Sequence, residues 1–175
     1  MPSAATRPAP SEFLPYYSRY IELVQGEDAV SALRSQLPET IAFLKQLSDE
    51  QSLTRYAPGK WSVREVLGHM IDTERIMAYR ALRIARGDAT PLAGFEQDDY
   101  IRGANFDGIP WSALVEEFEL LRRANILMFS GLTEEAWARS GTANGAAVTA
   151  RALAWIIAGH ELHHRGVIEK QYLKR

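Results

Sequence analysis

Apolar residues recur three and four positions apart over four long stretches, and most of the prolines and glycines fall between them. The first stretch sets Val30, Leu33, Leu37, Ile41, Leu44 and Leu47 on one stripe, with Asp28 placed to cap it. Pro38 lies inside it, removes one backbone hydrogen bond and disfavours helix at Leu37, so a kink or break is expected. Ahead of it, Tyr16, Tyr20 and Leu23 mark a short helix over residues 13–24 that Gly26 can end in a left-handed conformation. The second stretch opens on a capping box, Ser62-Val63-Arg64-Glu65, and runs to about Ala85 before Gly87. A third follows Pro110 and carries Trp111, Leu114, Val115, Phe118, Leu121, Asn125 and Met128 to Gly131, with Asn125 reading as a buried, hydrogen-bonded amide. Thr149 caps the last, which is apolar nearly all round from Ala150 to Ala158 and continues towards Leu173. A helix apolar on every side belongs at the centre of a bundle.

The connections are less regular. Residues 87–109 read as a long loop in which Phe95, Tyr100 and Phe106 allow packing as a cover, although a plain crossover has the same pattern. Thr133 with Glu135 and Trp137 suggests a short capped turn, and residues 141–145 a loop. No stretch alternates as a strand does. The expectation is an all-α four-helix bundle with long crossover loops and a short N-terminal helix. It would form a single domain over residues 12–175, after a flexible tail over 1–11 that is rich in Pro and Ala.

Composition narrows the chemistry. At 175 residues, 46% hydrophobic and 24% charged, the chain is long enough to close a core without staples. It has no cysteine, so any thiol chemistry must use an external thiol. A net charge of -2 with both signs interspersed offers no basic stripe for a nucleic acid. No leader-like segment and no membrane-length apolar run is present, so a cytoplasmic protein acting on a small molecule is expected.

Three of the four histidines fall within five residues, His160-Glu161-Leu162-His163-His164. Helix positions four apart lie about 40° apart on one face, so His160 and His164 can offer two imidazoles to one point. The fourth, His69, sits mid-helix in the second stretch, and facing helices can bring it to the same point. Three neutral imidazoles match a catalytic metal site with a position left for water or substrate. Asp72 or Glu65, one turn from His69, is placed to orient an imidazole, whereas Arg80, about 16 Å along the helix axis, is too distant to share a coordination shell. Glu161, His163 and Arg165 are the candidates for a base or an anion contact, and spacing alone does not choose among them. Imidazole suits zinc, nickel, copper and iron, with zinc or nickel expected. The same five residues fit H-E-x-x-H, but Val167 and Lys170 stand where the extended metalloprotease motif needs glycine and histidine. A noncatalytic module that binds a metal or a small ligand is the alternative from a different class.

The run Lys60-Trp61-Ser62-Val63-Arg64-Glu65-Val66-Leu67-Gly68-His69, then Asp72 and Glu74, and the closing Gly159-His160-Glu161-Leu162-His163-His164-Arg165-Gly166, carry a resemblance. Over nearly its whole length after the tail, the chain resembles the DinB-like superfamily, and within it the YfiT-like branch of metal-dependent hydrolases. The resemblance implies a four-helix bundle holding a divalent metal on three histidines, which correspond here to His69, His160 and His164. Some relatives are transferases or isomerases that use a low-molecular-weight thiol such as bacillithiol or mycothiol. A metal-dependent transferase or hydrolase is therefore implied, directing such a thiol or water at a small electrophile, with a homodimer in keeping with the family. The family name records induction by DNA damage, not DNA binding, in agreement with the charge.

Overall fold

The computed structural model describes residues 5–174. Its helices, in chain order, are α1 (Ser18–Ile21), α2 (Ala29–Lys45), α3 (Asp49–Ser52), α4 (Val63–Ala85), α5 (Gln97–Gly103), α6 (Trp111–Ser130), α7 (Glu134–Ala138) and α8 (Ala150–Val167). A two-stranded hairpin, β1 (Ser140–Ala143) and β2 (Ala146–Thr149), lies between α7 and α8. The long helices α2, α4, α6 and α8 form a four-helix bundle. In it α4 packs on α8 and α6, and α2 packs on α6 and α8. Successive helices α2 and α4 thus occupy opposite corners, as do α6 and α8, which is why the connections within these two pairs are long. No described helix is long and apolar enough to cross a membrane.

Local signals set the helix starts. Asp28 accepts from the Ser31 amide at 2.7 Å. Ser62 accepts from Glu65 N while Glu65 accepts from Ser62 N, which closes the capping box. Thr149 accepts from the Ala152 amide at 3.0 Å. α2 runs unbroken through Pro38, so of the expected kink or break the break does not occur. Pro38 is exposed, so the carbonyl it leaves without a helical partner faces water, while Leu33, Leu37, Ile41 and Leu44 stay buried on the other face.

Three other expectations change. Residues 87–109 contain α5, which has Asp98 and Asp99 in its first turn and Arg102 in its last, the charge order a helix dipole favours. Residues 141–145 are not a loop but the centre of the hairpin. Asn144 and Gly145, with φ of 52° and 74°, make the two-residue turn whose twist matches paired strands. The described part of the expected tail makes contacts with the bundle, while residues 1–4 lie outside the described residues. Ala5 is 2% exposed and its carbonyl accepts from the Trp155 indole at 3.0 Å. The Arg7 guanidinium lies 4.4 Å over the Trp155 ring and donates to the carbonyls of Ile21 and Val24. α8 ends in a π-helical turn, Ile168–Tyr172.

Candidate metal centre

α4 and α8 are the most closely packed pair of helices, and both histidine-bearing faces lie in their seam. Glycine sets close approach beside two of the three ligand candidates. A Cβ on Gly159 would stand well under 3.0 Å from the backbone carbonyl of Tyr20 in α1, and one on Gly68 equally close to the Phe106 ring. α1 and the 3₁₀ turn around Phe106 can therefore lie against the bundle directly beside His160 and His69.

His69 Nε2 lies 3.0 Å from His160 Nε2, and His164 Nε2 lies 3.0 Å from the same atom. One ligand nitrogen from each of the three falls within 4.8 Å of the others. His69 and His160 are 5% and 6% exposed, and His164 is half-buried. Burial holds all three neutral: it lowers His69 to about 4 and His164 to about 2, and drives His160 well down with the neighbouring imidazoles adding to the effect. A neutral ring nitrogen carries one proton or one lone pair, so His160 Nε2 can satisfy only one of its two neighbours by hydrogen bonding. A shared cation satisfies all three lone pairs, and the donor set therefore fits a divalent metal. Thr73 Oγ1 lies 3.4 Å from His69 Nδ1 and accepts its proton in the tautomer that leaves Nε2 bare. Trp61, with its ring 5.0 Å from that of His69, and Tyr20, 5.3 Å from His160, wall the cluster.

The other sequence candidates are placed elsewhere. Glu161, 1% exposed, accepts from Thr40 Oγ1 and from Arg122 Nη1, so both carboxylate oxygens are engaged on another side of α8. The general-base role that H-E-x-x-H would give it has no support in this placement. Arg165 reaches Glu39 and Thr40, both at 3.4 Å, on α2. His163 is half-buried and adjoins the cluster without joining it, its ring 4.9 Å from that of His164. Glu65 is spent on the capping box and on Arg55, and Asp72 makes no hydrogen bond to His69, so Thr73 takes the orienting position. Its signal in the sequence is its i+4 spacing from His69.

Arg122 is the residue the sequence hides most completely. It lies between Leu121 and Arg123 on α6, with nothing local to mark it, yet it is 0% exposed. It holds Glu74 through two bonds, at 2.9 and 2.8 Å, as well as Glu161, and Asn125 donates to Glu74 at 3.0 Å. Burial alone would lower the Arg122 pKa, but the two carboxylates reverse this and raise it.

A cleft of about 250 Å³ opens beside the histidines, lined by His69, His160, Thr73, Met77, Arg80 and Tyr20, with Phe95 and Asp98 from the covering segment. Residues 95–98 of the long connection thus form one wall of the cleft.

Residues 32–168 match the DinB superfamily. No match was found among curated proteins. Among solved structures, the chain is similar to YfiT from Bacillus subtilis, described as a probable metal-dependent hydrolase with an unusual four-helix bundle topology. That alignment has a TM-score of 0.71 at 15% identity, over 95% of this chain and 91% of that one. A mycothiol-dependent maleylpyruvate isomerase aligns with a TM-score of 0.65 at 15% identity, over 78% of this chain and 58% of its own. A DinB-like protein of Bacillus subtilis, YjoA, aligns with a TM-score of 0.60 at 20% identity, over 83% and 90%. At such identities the likeness carries the fold.

Proposed function

The chain belongs to the DinB superfamily, and from that membership and its histidine cluster we propose a metal-dependent enzyme that directs an external thiol or water at a small electrophile. The observation that carries the reading is the convergence of three neutral imidazole nitrogens, within 4.8 Å of one another, with His69 and His160 lining a cleft large enough for a small molecule. His69, His160 and His164 would hold the ion. A divalent ion bound by neutral ligands supplies its full charge to the site, which makes an adjacent thiol or water easier to deprotonate.

The chain's own residues supply the rest. Thr73 fixes the His69 ring through Nδ1. The Arg122 network braces α8 from behind, through Glu161, the residue next to His160. The covering segment narrows access of bulk water to the cleft. The absence of cysteine means that a thiol nucleophile comes with the second reactant. The mycothiol-dependent isomerase among the similar structures lends support to the thiol form of the reading.

The test is elemental analysis of untagged protein beside His69→Ala, His160→Ala and His164→Ala. Near-stoichiometric zinc or nickel in the wild type and at least a tenfold weaker retention in each variant is expected. Screening thiol and electrophile pairs with the loaded protein follows. Metal retained by all three variants would sink the assignment, and metal binding without turnover of any pair would leave a binding module.

A further inference from the structure

Three arginines are buried among the described residues: Arg64, Arg80 and Arg122. Arg64 pairs with Asp49 at 2.6 Å, and Arg122 pairs with two carboxylates. Arg80, 3% exposed, pairs with no carboxylate of the described residues. Its guanidinium donates to the Ala93 carbonyl at 2.6 Å, approaches the Met77 sulfur at 3.6 Å and lies 5.8 Å from the Phe95 ring centre. These contacts engage Nη1 and Nη2 once each and leave its other N–H donors without a protein acceptor among the described residues, open to the cleft. A buried cation with no counter-ion is costly to maintain, and a binding site is the ordinary reason for keeping one.

Its position gives that charge a use. His69, Thr73, Met77 and Arg80 follow one another along one face of α4 and line the same cleft. Arg80 Cα is about 16 Å from that of His69 along the axis, too far for both residues to hold one ion. Helical side chains lean towards the N-terminus, and the contact with Met77, three residues earlier, shows Arg80 doing so. Guanidinium and imidazoles therefore face opposite ends of a space of about 250 Å³, about the volume of eight liquid waters. Glu96 and Asp98 also line it, from the cover; both are exposed, and Asp98 acts on His69 at the other end of the cleft, while neither carboxylate acts on Arg80.

We propose that Arg80 anchors the carboxylate of a small organic acid bound in this cleft, with the opposite end of the same molecule presented to the histidines. The anion site stands on Arg80 itself; the orientation of the ligand rests on the metal-dependent reading above. The carboxylate belongs either to the electrophile or to the thiol that meets it. A guanidinium fork matches a carboxylate with two parallel bonds, which selects acids over their neutral amides.

The probes are succinate against succinamide, and 3-mercaptopropionate against 2-mercaptoethanol, titrated calorimetrically into untagged protein. Both the chelator-treated and the zinc-loaded forms are used. Wild type is expected to prefer the charged member of at least one pair by tenfold or more, in both forms. Arg80→Gln should abolish that preference while leaving affinity for the neutral member unchanged, and Arg80→Lys should restore part of it. The pair affected names the source of the carboxylate. The wild-type Arg80 Nε–H resonance should also shift with the acid and not with its neutral counterpart, a readout that needs no variant. No preference in wild type, or the same preference in a folded Arg80→Gln, overturns the proposal. Because the metal-free arm reads Arg80 alone, a failure of metal binding leaves this result interpretable, and the reverse holds as well.

Discussion

His69, His160 and His164 are ordinary imidazoles made unusual by where they sit. Removing them from water withdraws the stabilisation of the protonated form, and each neighbour would repel a second charge. In the metal-free protein this makes stability depend on pH. Folded His69 titrates at about 4 against an ordinary 6.5, so as pH falls the unfolded chain takes up the proton first. The contribution is fully present above about 6.5 and is lost between there and about 4. Urea denaturation of chelator-treated protein should show a loss of up to about 2 kcal/mol from this one residue between pH 6.5 and 5. The decline should be smaller by that amount in His69→Gln, and identical slopes in the two proteins would refute the assignment. The three ligand candidates were legible because histidine is rare here and its i, i+4 spacing is informative. The roles of Glu161 and Arg165 were not, because a helix face chooses a side chain's partners only once its neighbours are in place.

Helix starts and stops were legible for a local reason: Asp28, Ser62 and Thr149 satisfy amides within their own first turn. The hairpin leaves little trace beyond Asn144-Gly145 at its turn, because its strands are four residues each and do not alternate. Element packing separates two glycines of α8 that look alike in sequence. Gly159 has the Tyr20 carbonyl against it, whereas Gly166 has nothing within 4 Å of an added Cβ. Gly159→Ala should destabilise the fold by about 1–3 kcal/mol, since the obstacle is backbone and α1 must move. Gly166→Ala, in the same helix, should stabilise it by about 0.5–1 kcal/mol through helix propensity. Chemical denaturation of the two variants reads the sign directly, and equal effects would contradict the close approach of α1 to α8.

Across the whole molecule, Arg122 ties the bundle together through charge. It lies in α6, Glu74 in α4 and Glu161 in α8, while Thr40 of α2 donates to Glu161, so one buried network touches all four long helices. Replacing Arg122 by the similarly shaped methionine leaves two carboxylates buried without their cation. A loss of about 3–5 kcal/mol in unfolding free energy is expected, and a loss below 1 kcal/mol would show the network to be incidental. The same scale explains why the covering segment could not be told from a crossover. Residues 87–109 join α4 to α6, which pack against each other, and reach the cleft lined by α4 and α8, contacts with no local trace.

What the chain determined by itself is what depends on near neighbours: four amphipathic helices, their caps, an all-α fold, and two histidines on one turn of α8. The tertiary structure alone decided how those helices are arranged, that His69 meets the other two, and that Arg122 is buried against two carboxylates while Arg80 is buried with no carboxylate among the described residues. A side chain's charge is written in the sequence. Whether water or protein answers that charge is settled by residues tens of positions away.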